Sequence, residues 1–138
     1  KYAIIGETLD DAVGEAFDKV ARMMDLPYPG GPEISKLASL SDKQEEYKFP
    51  RPMIHSDTCD FSFSGLKTSV LYTLKKIPEL TDEIRQKVAK EFEDAVIEVL
   101  ISKTKKALTE LPGFETSARH TTANADKSLR TNMCRRAR

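Results

Sequence analysis

Apolar residues recur at helical spacing along much of the chain, and this pattern predicts helices separated by proline- and glycine-rich turns. In the first segment the apolar positions are spaced by four, three and four residues, which places them on one helix face. These positions are Val13, Phe17, Val20 and Met24. Thr8 is a suitable N-cap, so this helix is predicted to begin near Leu9. Pro27 disfavours helical backbone in the residue before it, so the helix is predicted to stop at Asp25 or Leu26.

Three further helices are predicted downstream. Pro32 can occupy the first turn of a short helix that includes residues 33–38. Ser64 is the predicted N-cap of a helix over residues 65–76, which has an apolar residue at every fourth position. The longest periodic segment covers residues 82–110 and is predicted to be the main structural helix. Its last turns carry Lys103, Lys105 and Lys106.

Short strands are predicted in three places. Residues 1–6 are typical of the end of a β-strand, and a strand needs neighbours. Because the sequence offers no preceding element to pair with it, we expect the chain to begin inside a larger protein. Residues 60–65 alternate apolar and polar, which predicts a half-buried strand with Phe61 and Phe63 on one face. The two prolines of residues 49–53 favour extended backbone.

A second face of the first helix is predicted to be acidic, and it leads to a glycine turn. At 100° per residue, this face contains Glu7, Asp11, Gly14 and Asp18. Residues 27–32 (PYPGGP) then combine three prolines with two glycines, whose amides no side chain shields. Two interpretations remain open. Either the acidic face is solvated and the turn is a connector, or a polar ligand packs against the glycine amides.

Composition indicates one modest domain without a dominant charged partner. The 138 residues are 39% apolar, and 22 basic residues balance 22 acidic ones. No run approaches the roughly 18 apolar residues of a membrane helix. We therefore expect no membrane association and a cytoplasmic location.

Local patterns do not indicate a metal site or a phosphate loop. The two cysteines and two histidines are isolated from one another, with no metal-ligand spacing. These residues are Cys59, Cys134, His55 and His120. Residues 64–67 (SGLK) lack the spacer and first glycine of a P-loop, so Lys67 is predicted to lie on a solvated or partner-facing surface.

The end of the chain has a different composition. Residues 111–138 contain more basic than acidic residues, and residues 116–122 have no apolar face in either period. We expect this tail to be divergent and disordered. The alternative is that its basic end, which has the charge to do so, contacts RNA. The preceding region, residues 1–110, is expected to hold the fold.

Five segments together resemble one known family. They are GETLDDAVGEAFDKVARMM (6–24), LPYPGGP (26–32), FPRPM (49–53), DFSFSGLKTSVLY (60–72) and KEFEDAVIEVLISKTKKAL (90–108). In order and spacing they are similar to the TsaD (Gcp) family, once described as O-sialoglycoprotein endopeptidases. Its members transfer a threonylcarbamoyl group from threonylcarbamoyl-adenylate to the exocyclic amine of the adenosine beside the tRNA anticodon.

The resemblance implies an α/β fold of the actin-like (ASKHA) type, with two lobes. This chain is expected to supply the end of the first lobe, a helical segment and the start of the second lobe. The fragment is expected to be mostly helical, with a few short strands. Asp18 and Gly31 match family positions that bind the adenylate, and Asn124 matches a third position if the register is shifted.

The resemblance also implies which metal ligands this chain lacks and which partners it binds. The family holds iron or zinc, but the matching ligands fall outside this sequence, so we expect no catalytic residue and no bound cofactor here. Expected partners are the adenylate, tRNA, and TsaB-like and TsaE-like subunits. We therefore expect a fragment that is inactive alone. The alternative is a non-catalytic remnant or helical module that uses the apolar face of residues 13–24 to pair with a related subunit.

Overall fold

A computed structural model of the chain describes residues 3–41 and 46–110, and helices dominate them. The helices are α1 (Val13–Met23), α2 (Gly30–Leu40), α3 (Ser64–Lys75) and α4 (Asp82–Glu110). The chain divides into a unit of residues 1–104 and a unit of residues 105–138. The core described below belongs to the first unit. The predicted tail, Asn124 included, lies outside the described residues.

All four predicted helices are present, but α1 begins later than predicted. Its N-cap is Ala12, not Thr8, and no side chain caps it. Thr8 instead forms an isolated parallel bridge with Phe61, and its hydroxyl donates to the carbonyl of Asp11 at 2.8 Å. Extended backbone at Thr8 is incompatible with a helix there. The predicted acidic helix face is therefore wrong, because Glu7 and Asp11 precede the helix.

The C-terminus of α1 also differs from the prediction. The helix ends at Met23, two or three residues earlier than the end predicted from Pro27. Asp25 adopts a left-handed conformation with φ of 56°. The Leu26 amide donates to the Ala21 carbonyl at 3.0 Å, and the Asp25 amide donates to the Arg22 carbonyl at 3.2 Å. This pair of bonds is a Schellman motif, which satisfies carbonyls that the helix end leaves unpaired. It turns the chain sharply towards α2.

One apolar cluster joins the helices. Its fully buried members include residues of α1, α2, α3 and α4, as the periodicity predicts. They include Val20, Met24, Ile34, Leu66, Val70, Val88, Phe92, Val96 and Val99. The rings of Phe17 and Phe92 meet edge to face, with centroids 5.0 Å apart, a favoured geometry for aromatic pairs. The apolar face of α1 is thus covered by the chain's own core.

The predicted strands are wrong within the described residues. Residues 3–7 and 60–65 form no regular strand, and Thr8 and Phe61 form only a single bridge. The rings of Phe61 and Phe63 do stack, with centroids 6.0 Å apart. The alternation of apolar and polar residues thus correctly placed Phe61 and Phe63 on the same side. A regular strand does not form, because no neighbouring strand pairs with this backbone. The described part is a mostly helical fragment. Among its helices we find no segment that combines the length and the apolar composition of a membrane span.

Candidate functional site

Asp18 connects α1 to the first turn of α2. Its Oδ1 accepts a hydrogen bond from the Gly30 amide at 2.8 Å. The N-cap of α2 is Pro29, which has no side chain that can cap the helix. Asp18 supplies this interaction from a distance of twelve residues, and its negative charge lies at the positive end of the α2 dipole. The carboxylate is therefore fixed in place by the helix that it caps.

The two glycines at the start of α2 have different environments. Gly30 is buried, and a Cβ there would lie 2.6 Å from Cβ of Ala21 and 2.8 Å from Cα of Asp18. Such contacts are too short for any side chain. A Cβ on Gly31 would meet nothing within 4 Å. Gly30 is thus the packing residue, whereas the predicted site residue Gly31 has open space beside its backbone.

A charged cluster lies where residues 7–11 meet α3. The carboxylate of Asp11 accepts from Lys67 at 2.6 Å and from Lys19 at 2.7 Å. These hydrogen bonds, first from Lys19 and then from Lys67, lower the pKa of Asp11. Only 19% of the Lys67 side chain is exposed. The prediction that Lys67 is solvated is therefore wrong, because its ammonium is engaged by Asp11 and most of its side chain is buried.

Asp10 caps α3 from a distant part of the sequence. Its Oδ1 accepts from the amides of Phe63 at 2.8 Å and Ser64 at 3.1 Å, and its Oδ2 accepts from Oγ of Ser62 at 2.6 Å. Burial raises the pKa of Asp10, but the hydrogen bonds from Ser62, Phe63 and Ser64 outweigh it, so the pKa is lowered. Ser64 was the predicted cap, yet it is the first residue of α3. No local pattern identifies Asp10 in this role.

A second charged cluster fixes residues 49–51 to α4. The Arg51 guanidinium donates to Glu98 through Nε at 2.8 Å and Nη2 at 3.0 Å, and Nη1 also contacts Glu91. The Glu91 carboxylate accepts in addition from the Phe49 amide at 2.9 Å. The bond from Arg51 is the main reason that the pKa of Glu98 is lowered. A bidentate arginine–carboxylate pair of this kind is both strong and directional.

Lys103 is buried, which its place among the final lysines did not predict. Only 1% of the residue is exposed. Its Nζ donates to Oγ of Ser56 at 2.6 Å, to the Thr58 carbonyl at 2.6 Å and to the Ser56 carbonyl at 3.3 Å. The signal was present in the sequence, because Lys103 continues the buried register of Val96 and Val99. A lysine at that register is typical of a side chain that reaches a buried acceptor.

The described residues do not fit the iron or zinc that the family resemblance implies. No group of three or more His, Cys, Asp or Glu side chains there is arranged to hold a metal ion. The acidic residues nearest one another are engaged by lysine, arginine or backbone amides.

Comparison with known proteins identifies the family. The family model described as "TsaD: tRNA N6-adenosine threonylcarbamoyltransferase" matches residues 1–138. The chain therefore belongs to the TsaD family. The resemblance drawn from the five sequence segments is confirmed, and with it membership of a family that acts on tRNA.

Curated relatives carry the same description and are much longer than this chain. The protein of Neisseria meningitidis (serogroup A strain Z2491) is 46% identical over 135 residues, which cover 94% of this chain and 38% of that protein. The protein of Rickettsia bellii (strain OSU 85-389) is 52% identical over 108 residues, covering 78% and 31%. The protein of Buchnera aphidicola (strain Tuc7) is 56% identical over 108 residues, covering 78% and 32%. Each is a tRNA N6-adenosine threonylcarbamoyltransferase, and this chain spans less than two fifths of their length.

The structure brings two of the three predicted site residues close together and leaves the third untested. Asp18 contacts the first turn of α2, to which Gly31 belongs. Asn124 lies outside the described residues. The resulting candidate site is a short surface made of the Asp18 carboxylate and the open backbone of Gly31.

Proposed function

We propose that this chain supplies one wall of the adenylate-binding cleft of a tRNA threonylcarbamoyltransferase. The observation that carries the proposal is the contact between Asp18 and the first turn of α2, beside the open backbone of Gly31. In the proposed reaction, the exocyclic amine of an adenosine attacks the carbamoyl carbon of threonylcarbamoyl-adenylate. A new C–N bond forms, the bond from that carbon to the phosphate oxygen breaks, and AMP and a proton leave.

Asp18 has the capacity to bind a ligand while it caps α2. An ionised carboxylate can accept about four hydrogen bonds, and the structure records one, from the Gly30 amide. Asp18 is only partly buried. Its remaining lone pairs suit the hydroxyl groups of a ribose, which are hydrogen-bond donors. The role of Asp18 is to hold the adenylate, and in particular its AMP portion, while the acyl group departs.

Gly31 supports the proposal through space and electrostatics. A ligand can approach its backbone closely, since no atom lies within 4 Å of where a Cβ would be. The first amides of an α-helix have no partner within the helix and lie at the positive end of its dipole. A negatively charged adenylate is favoured at such a position. Asn124 is proposed as a further contact on the strength of the family resemblance.

The parent protein is proposed to have the two-lobed actin-like fold of its family, with the rest of the cleft supplied by sequence that this chain lacks. The TsaB-like and TsaE-like subunits remain proposed partners. We expect the 138-residue chain to produce no modified adenosine when it replaces the full protein in a depleted strain. Restored tRNA modification would contradict that expectation.

The alternative function, a helical module that pairs through an exposed face of residues 13–24, receives no support. Val20 and Met24 are fully buried within the chain's own core. That part of the face is therefore not available to a partner while the chain is folded, and Val13 and Phe17 are partly buried against the same core.

Calorimetric titration with a non-hydrolysable adenylate analogue tests the proposed site. Asp18→Ala removes both the cap and the ligand contact, so it cannot separate the two roles. Asp18→Asn keeps a neutral acceptor for the Gly30 amide but removes the charge, and we expect affinity to fall roughly tenfold because hydrogen bonds to charged groups are the stronger ones.

Gly31→Ala provides the second arm of the same experiment. The added methyl group enters open space, so we expect thermal stability to stay unchanged. The affinity for the adenylate analogue should fall, because the methyl group occupies the space through which the ligand approaches the backbone. The matched control is Ser39→Ala on the same helix, which should change neither property. Wild-type affinity in Asp18→Asn and Gly31→Ala would refute the site.

A further inference from the structure

A surface cavity separate from the Asp18 site lies between residues 47–55 and α4. Its volume is about 450 Å³, which is within the range of pockets that hold small molecules. Side chains from residues 47–55 line one side, and Glu91 and Glu98 of α4 line the other. Neither Asp18 nor Gly31 is among the lining residues, so the adenylate site makes no use of this cavity.

One wall of the cavity carries a net negative charge. The single guanidinium of Arg51 contacts the two carboxylates of Glu91 and Glu98, so one negative charge is left over. The hydrogen bond from Arg51 lowers the pKa of Glu98, which keeps this carboxylate ionised at neutral pH. The Glu98 side chain is still 53% exposed, and a carboxylate can accept about four hydrogen bonds. Glu98 can therefore accept from the ammonium group of a ligand while it holds Arg51.

The rim of the cavity carries a positive charge close to this wall. Lys48 is exposed, and within residues 3–41 and 46–110 no ion pair of its ammonium is recorded. The next residue, Phe49, donates its amide to the Glu91 carboxylate at 2.9 Å. Because consecutive Cα atoms are only about 3.8 Å apart, the Lys48 side chain begins beside the acidic wall. Its ammonium is a point charge that can pair with a carboxylate of a ligand.

The cavity lining also has an apolar part. Tyr47 and Ile54 line the cavity, and both are partly buried against the hydrophobic core. An apolar group of a ligand is removed from water when it packs there, which favours binding. A ligand with only a negative charge would face Glu91 and Glu98, and one with only a positive charge would face Lys48. A small zwitterion with an apolar side chain matches all three parts of the lining.

We propose that this cavity binds a free α-amino acid with an apolar side chain. The ammonium group of the ligand donates to Glu98, its carboxylate pairs with Lys48, and its side chain packs against Tyr47 and Ile54. Both charged groups of an α-amino acid are attached to one carbon atom, which suits a lysine that begins beside an acidic wall. The proposal does not depend on the proposed function, because none of these residues belongs to the adenylate site.

Saturation-transfer NMR on the 138-residue chain tests the proposal with three related probes. L-Phenylalanine has both charged groups, 3-phenylpropanoate lacks the ammonium, and 2-phenylethylamine lacks the carboxylate. We expect L-phenylalanine to bind roughly tenfold more tightly than either analogue, because hydrogen bonds to charged groups are the stronger ones. No saturation transfer to L-phenylalanine, or equal affinity for the three probes, would overturn the proposal.

Two variants test which residue binds which end of the ligand. Glu98→Gln should remove the advantage of L-phenylalanine over 3-phenylpropanoate, and Lys48→Ala should remove its advantage over 2-phenylethylamine. The matched controls are Glu93→Gln on α4 and Lys76→Ala at another exposed lysine. Both lie outside the cavity lining and should keep the preferences of the wild type. Thermal melting of each variant verifies that the fold is retained, and a cavity variant that behaves like its control would refute the assigned contact.

Two further measurements define the ligand and the independence of its site. Phenylalanylglycine has the same two charged groups, but an additional residue separates them, so we expect it to bind more weakly than L-phenylalanine. Tighter binding of the dipeptide would overturn the assignment to a free amino acid. The adenylate analogue should not displace L-phenylalanine from the wild-type chain. Displacement would show that the two ligands share one site and would refute a separate cavity.

Discussion

The chain enters α2 and leaves it through two connections of different construction. The connection before α2, residues 24–29, is short and is fixed by neighbours: the Schellman bonds at the end of α1 and the bond from Gly30 to Asp18. The connection after α2 is longer, and its described residues 46–63 are held by distant side chains. Arg51 reaches Glu91 and Glu98 on α4, and Lys103 reaches back from α4.

The difference shows two ways to order a segment without a strand ladder. Where the chain turns within a few residues, local backbone geometry and one carboxylate are enough. Where a longer stretch such as residues 46–63 must be ordered, the entropy cost is larger, and charged side chains of α4 supply the contacts. The first connection leads directly to Gly30 and Gly31 at the candidate site, and the second contributes residues 47–55 to a surface cavity against α4.

The first connection should be the easier to break by a single methyl group. In Gly30→Ala the new Cβ would meet Ala21 and the Asp18 backbone at less than 3 Å, so the two helices must separate. We expect a loss of about 3 kcal/mol in the free energy of unfolding, the upper part of the range for overpacking. Urea denaturation measures this loss, with Gly31→Ala as the matched control. Equal stability of the two variants would show that α1 and α2 are not closely packed.

The second connection should depend on Lys103. Lys103→Met keeps the length of the side chain but leaves the Ser56 and Thr58 carbonyls without this donor. We expect a loss of about 2 kcal/mol, typical of unsatisfied buried polar groups. Hydrogen exchange should accelerate in residues 52–60 more than in α1. The control Lys105→Met, at an exposed position of α4, should have little effect; uniform acceleration across the unit would contradict a local role.

Acid should weaken the contacts that residues 7–11 make with the end of the second connection. The pKa of Asp10 is lowered from 3.8 in the folded chain, so its contribution is complete above that value and is lost as the pH falls through the folded pKa. Unfolding measured between pH 7 and pH 2 should show this loss. Asp10→Asn, which keeps an acceptor but does not titrate, should reduce the acid dependence. The same acid dependence in both proteins would assign it to other carboxylates.

Helical periodicity predicted α3 and α4 closely, because their buried faces repeat over several turns and the 3.6-residue period fixes which side chains meet the core. The periodicity also predicted α2, but the predicted helix was shorter than the observed one. The reason is that Gly30 and Gly31 were predicted to lie in a turn. The periodicity failed at the start of α1. The pairing of Thr8 with Phe61 depends on a segment more than fifty residues away, which no local rule includes.

The candidate site was predicted only through the family resemblance. Asp18 on its own indicates a solvated carboxylate, and two adjacent glycines do not reveal which one is packed. The contacts of Arg51 with Glu91 and Glu98 were not predicted, because Arg51 precedes α4 by many residues and no local spacing links it to the two glutamates on that helix. Lys103 was the exception, since its register with Val99 was visible along α4.

Patterns along the sequence are enough to predict the helices, the face that each one buries, and the family to which the chain belongs. Those features depend on repeated local spacing and on motifs that are contiguous along the chain. Three features follow only from the three-dimensional packing: Gly30 packs while Gly31 stays open, Asp10 and Asp18 cap helices from a distance, and Lys103 bonds to Ser56 and Thr58. Each of these depends on which distant atoms approach within about 3 Å, and spacing along a chain carries no such information.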